Sequence, residues 1–146
     1  MRIAILAWSL VFLGLSLGTA LAHDKVEAAL YLGQNNSPSL LAREAPDRLS
    51  GRLQEVFGFH HYVLLKADKI ELAHTWTQWF VPRWDFFICL KPLRPQLDEP
   101  RLVDYEIYQD GFIVAKGKYE PSDGTPLFIN GPDFKNGRLI FVLEPH

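Results

Sequence analysis

Apolar and polar residues alternate from Lys25 to Leu32. Val26, Ala28, Leu30 and Leu32 fall on one side, and Lys25, Glu27, Ala29 and Tyr31 on the other. A period of two predicts a half-buried strand, ended by the polar run Gly33-Gln34-Asn35-Asn36-Ser37-Pro38. The period then lengthens. Leu49, Leu53, Val56 and Phe57 recur at i, i+4, i+7 and i+8, with Arg48, Arg52 and Glu55 off that stripe. Pro46 suits a first helical turn, Asp47 favours the positive end of the helix dipole, and Gly58 is a ready stop. Gly51 weakens such a helix by about 1 kcal/mol relative to Ala without changing the assignment.

From Phe59 onward the period returns to two. His60 to Leu65 reads as a strand turned by Lys66-Ala67-Asp68, with Lys69 to Thr77 as its partner. Trp79-Phe80-Val81 and Asp85 to Lys91 continue as strand with an interruption at Pro82. The unbroken apolar run Phe86 to Leu90 predicts a strand covered on both faces. Pro92, Pro95 and Pro100 make a rigid connection. Leu102 to Gln109, Asp110-Gly111 and Phe112 to Tyr119 form the strongest hairpin signal, because Asp-Gly tolerates the positive φ of a two-residue turn. Pro121 to Gly124 is a further turn, and Leu127-Phe128-Ile129 a short strand closed by Asn130-Gly131-Pro132. A tight turn at Asn136-Gly137 then leads into an apolar last strand, Arg138 to Leu143. One helix among about eight short strands predicts an α+β fold, a mainly antiparallel sheet with one packing helix. The helical stripe is expected to lie on a sheet containing Phe86 to Leu90.

Residues 1–22 follow another pattern. Arg2 is their only charged side chain, Ala4 to Leu13 is an apolar core, and Ala20-Leu21-Ala22 places small residues where signal peptidase needs them. A cleavable signal peptide over residues 1–22 and a single exported α+β domain over 23–146 are therefore expected, periplasmic or extracellular. Gly14, Ser16, Gly18 and Thr19 argue against an uncleaved anchor, so no membrane span is expected in the mature chain.

Four segments carry a resemblance: Val56-Phe57-Gly58-Phe59, Tyr62-Val63-Leu64-Leu65, Val81 to Phe87 and Pro126 to Pro132. Over about Leu49 to Leu143 the chain resembles a group of small exported bacterial proteins of unknown function. The resemblance implies a bacterial exported domain and supplies no activity or catalytic residue.

Composition narrows the classes. With 48% apolar, 13% aromatic and 22% charged residues, disordered tails and coiled coils are excluded. A net charge of −2 lacks the basic excess of a nucleic-acid binder. Cys89 is the only cysteine, so the domain must be held by its core, and Cys89 itself reads as a small buried hydrophobe.

Candidate chemistry is sparse. There is no Gly-x-Ser-x-Gly elbow, Walker loop, His-Glu-x-x-His or Cys-x-x-Cys, so no enzyme, catalytic residue or cofactor is expected. After cleavage His23 would be the N-terminal residue, and its amine and ring with His61 or His74 could brace copper. Nothing else in the chain supports that site, and His60-His61 on a strand point to opposite faces. The cluster Trp76, Trp79, Phe80 and Trp84 is denser than composition explains. Buried, these rings are core, the reading preferred here and above all for Trp76. Exposed, Trp76, Trp79 and Trp84 would stack on sugars. The leading expectation is a non-enzymatic exported domain that binds or scaffolds an envelope protein. A glycan or peptidoglycan module using those tryptophans comes second, and a copper protein third.

Overall fold

The structure is a computed structural model that describes residues 25–72, 77–94 and 100–146. The expected signal peptide, His23, His74, Trp76 and the centre of the Pro-rich connection lie outside the described residues.

The elements are β1 (Lys25–Gln34), α1 (Asp47–Phe57), β2 (His61–Glu71), β3 (Gln78–Arg83), β4 (Phe86–Pro92), β5 (Val103–Gln109), β6 (Phe112–Tyr119), a 3-10 turn (Pro121–Asp123), β7 (Leu127–Phe134) and β8 (Gly137–Pro145). The strands form two antiparallel sheets, ordered β2-β1-β8-β7 (sheet A) and β3-β4-β5-β6 (sheet B). With eight strands and one helix among the described residues, mainly-β describes the fold better than α+β.

The two sheets share one core. Val26, Ala28, Leu30 and Leu32 of β1 and Leu139, Phe141 and Leu143 of β8 meet Phe80, Phe86, Ile88, Leu90, Val103 and Ile107 of sheet B. Phe141 is its centre, stacked on Phe86 at 4.7 Å and edge-on to Phe80 at 5.8 Å. A second core fills the far side of sheet A, where Leu49 and Leu53 pack with Ala29, Tyr31, Tyr62, Ile140 and Val142. The Tyr62 hydroxyl donates to the Leu53 carbonyl at 2.8 Å, which leaves no orphan polar atom at that seam. Gly58 ends α1 at φ 78, its N–H donating to the Gln54 carbonyl.

Two expectations about α1 need correction. The helix lies on sheet A, not on the sheet that holds Phe86 to Leu90. Its stripe is narrower than the period suggests, with Leu49 and Leu53 buried, Phe57 partly buried and Val56 exposed. Because α1 covers the far side of β1, that strand is buried on both faces over Ala28–Leu32 rather than half-buried.

Three expected breaks are bulges or strand. β2 runs unbroken through Lys66-Ala67-Asp68, paired with β1, and one extra residue near Leu65 shifts its register. That slip of one residue inverts the alternation, which reads in sequence as two strands around a turn. Pro82 lies inside β3, an edge strand with one extra residue between Phe80 and Arg83. Asn130-Gly131-Pro132 lies inside β7, where the register slips between Asn130 and Asp133. Gly131 packs there against the Leu139 carbonyl and the Phe86 ring, leaving no room for a side chain. The last turn is Lys135-Asn136, with Lys135 at φ 52, one residue earlier than Asn136-Gly137. Asp110-Gly111 behaves as expected, with φ of 51 and 82.

Candidate functional site

Among the described residues no helix lies on the outer face of sheet B, and cross-strand register lays out its side chains in rows. Trp79, Cys89, Glu106 and Lys116 form one row across β3, β4, β5 and β6. Phe87, Tyr108 and Ile113 form the next, toward the Trp84-Asp85 and Asp110-Gly111 turns. Lys91, Asp104 and Lys118 form a row on the other side. The Asp110 N–H donates to the Asp85 carbonyl at 2.9 Å, so the two hairpin ends are tied together.

Three rings dominate this face. Phe87 and Tyr108 stack nearly parallel (8°) at 5.1 Å, and Trp79 leans on both, 5.9 and 5.7 Å away at about 50° tilt. Trp79 remains 53% exposed, and Trp84, on its two-residue turn, is 83% exposed. Val81, Phe112, Ile113 and Val114 are exposed apolar residues on the adjoining strands. The core reading of the tryptophans is therefore corrected for Trp79 and Trp84.

A charged ladder borders the rings. Lys91 Nζ lies 3.0 Å from Glu106 Oε2, and the Tyr108 hydroxyl donates to the same oxygen at 3.0 Å. Lys118 Nζ donates to Asp104 Oδ1 at 2.8 Å. The two bonds from Lys91 and Tyr108 hold the Glu106 carboxyl below its ordinary range. They raise the Lys91 ammonium and the Tyr108 phenol for the converse reason. At the turn, Arg83 grips Asp85 through two bonds of 3.0 and 2.8 Å, depressing that carboxyl, and its guanidinium lies 4.3 Å above the Phe134 ring. Beside Lys91, Asp104 and Lys118 the surface forms a shallow open depression reaching Lys116 and Gly117.

Chemically this face combines exposed rings with paired charges. Rings, a rim of mutually paired charges and an accessible phenol suit recognition by packing and hydrogen bonding. Cys89 lies in the row between Trp79 and Glu106, buried, with its thiol pushed up by burial, the opposite of an activated nucleophile.

Of the copper candidates His23, His61 and His74, only His61 lies among the described residues. The His61 Nδ1 is 2.8 Å from a Glu44 oxygen. Among the described residues no three His, Cys, Asp or Glu side chains converge. His23, His74 and Trp76 lie outside the described residues. Phe87 and Tyr108 were not singled out in the sequence. Counting back two and four positions from Asp110 puts Tyr108 and Glu106 on one face, and that was the available signal.

Compared with family models, curated proteins and solved structures, the chain gives no match. The resemblance to small exported bacterial proteins rests on its four segments. These map to the end of α1, the start of β2, the β3–β4 hairpin and the bulged strand β7.

Proposed function

We propose that this chain is a non-enzymatic binding domain, exported by its first 22 residues, that docks a cell-envelope protein on the outer face of sheet B. One observation carries the reading: Trp79, Phe87 and Tyr108 form an accessible aromatic cluster on a sheet face that no helix among the described residues covers. Monomeric domains rarely spend large rings on water, and Trp and Tyr inside a polar rim are the composition of interface hot spots. Lys91, Glu106 and Asp104–Lys118 supply that rim already paired, so they orient a partner at little desolvation cost. A photo-crosslinking residue in place of Trp84 should give a defined protein adduct in envelope preparations, and one in place of Val56 on α1 should not. Equal labelling from both positions would refute the proposal.

Glycan binding is the second reading, favoured by the exposure of Trp84 and Trp79, each able to offer a ring face to a sugar. The roughly 50° tilt of Trp79 against its neighbours makes a ridge rather than a flat strip, which suits a protein better. Sedimentation of the folded protein with insoluble peptidoglycan, lost in Trp79→Ala, would reverse that order.

A further inference from the structure

All four sheet edges carry one extra residue, the device by which edge strands twist away from unwanted pairing. Three edges are blunted again. β3 has Pro82, β7 has Pro132, and β2 carries Lys66, Asp68, Lys69 and Glu71, whose mixed signs favour neither an acidic nor a basic strand. The edge at β6 differs. It is exposed from Phe112 through Lys116, without proline, with Phe112, Ile113 and Val114 apolar and in water. Its bulge sits near Val114, so Ala115 to Tyr119 pair with β5 in unbroken register and leave a straight outer edge. Lys116 and Lys118 stand on that straight stretch. Lys118 shares a solvent-screened pair with Asp104, and Lys116 has no ion pair among the described residues.

We propose that β6 is a docking edge for an extended acidic segment of a partner protein, which adds to sheet B as a fifth strand. Backbone N–H and C=O groups at alternate positions of an edge strand recognise extended chain, and side chains then set which chain. An antiparallel segment reading acidic, any, acidic, then apolar would set its carboxylates across from Lys118 and Lys116. Its apolar end would cover Val114, Ile113 and Phe112. A second copy of this chain fits less well. Two β6 strands paired antiparallel over their length set each lysine against an apolar residue or Gly117, and pairing only Phe112–Val114 is too short to hold.

The test uses the purified chain and a labelled synthetic peptide with two glutamates separated by one threonine and followed by valines. Fluorescence anisotropy should show saturable binding, weakened about tenfold in Lys116→Glu/Lys118→Glu, the size expected for reversing two exposed charge pairs. A peptide with lysines in place of the glutamates should bind that double variant better than it binds the unaltered chain. Val114→Pro should abolish binding, and the charge exchange keeps the test decisive should that variant not fold. Trp79→Ala should leave peptide affinity unchanged, which separates this edge from the aromatic face. Absence of saturable binding, indifference to the charge exchange, loss of binding in Trp79→Ala, or a dimer dissociated by the lysine reversal would each overturn the proposal.

Discussion

The two outer sheet faces are alike in architecture and opposite in use. Sheet A gives its outer face to α1, where Leu49 and Leu53 seal Ala29, Tyr31, Tyr62, Ile140 and Val142 from water. Sheet B gives its outer face to Trp79, Phe87 and Tyr108, and no helix among the described residues covers it. One face stabilises the fold. The other keeps aromatic area accessible, at a cost the two-sided burial of sheet A offsets. The difference also explains the unbroken buried runs Ala28 to Gly33 in β1 and Leu139 to Leu143 in β8, central strands of the sheet that is covered on both faces.

The largest effect should come from the core both sheets share. Phe141→Ala removes a fully buried ring stacked on Phe86 and edge-on to Phe80 and should cost about 3–5 kcal/mol by urea denaturation. A smaller loss would mean the sheets are not packed on that ring. Next comes the helix side. Leu53→Ala should cost about 2–5 kcal/mol and lower the melting temperature clearly, since Leu53 is fully buried. An unchanged melting curve would show that α1 does not cover sheet A. On the open side, Trp84→Ala should move stability by no more than about 0.5 kcal/mol in the same titration.

The smallest effect is electrostatic and belongs to sheet B. The Glu106 carboxyl is depressed by Lys91 and Tyr108, so its stabilisation is present above the ordinary glutamate range. It is lost as pH falls through the lowered value in the folded protein, when the unfolded chain binds the proton more readily. Urea midpoints measured between about pH 6 and about pH 3 should fall less steeply in Glu106→Gln than in the unaltered chain. An unchanged slope would mean that the Lys91–Glu106–Tyr108 contacts do not persist in solution.

Much of the fold was legible because strong local signals decide it. The Asp110-Gly111 turn has one solution, and the alternation in β1 names its inner face correctly. The bulges were not legible. An extra residue at Leu65, or at Gly131-Pro132, breaks alternation just as a turn does, and only the partner strand tells them apart. Which sheet α1 covers was hidden for the same reason, since a helical stripe does not name its partner. The aromatic face was half legible. Trp79 and Trp84 stand out in the sequence, but their exposure depends on α1 packing on sheet A instead of sheet B, a property of the tertiary arrangement.

One paired measurement tests the account most directly: the melting temperature and the Trp84-directed crosslink of Trp79→Ala, set beside the melting temperature of Leu53→Ala. Half exposed and held by two ring contacts, Trp79 should cost about 1–2 kcal/mol on truncation, well short of Leu53. The folded variant should nonetheless lose the adduct to its envelope partner. If Trp79→Ala melts as early as Leu53→Ala, the ring belongs to the core. If it stays folded and crosslinks as before, the outer face of sheet B is not the binding surface.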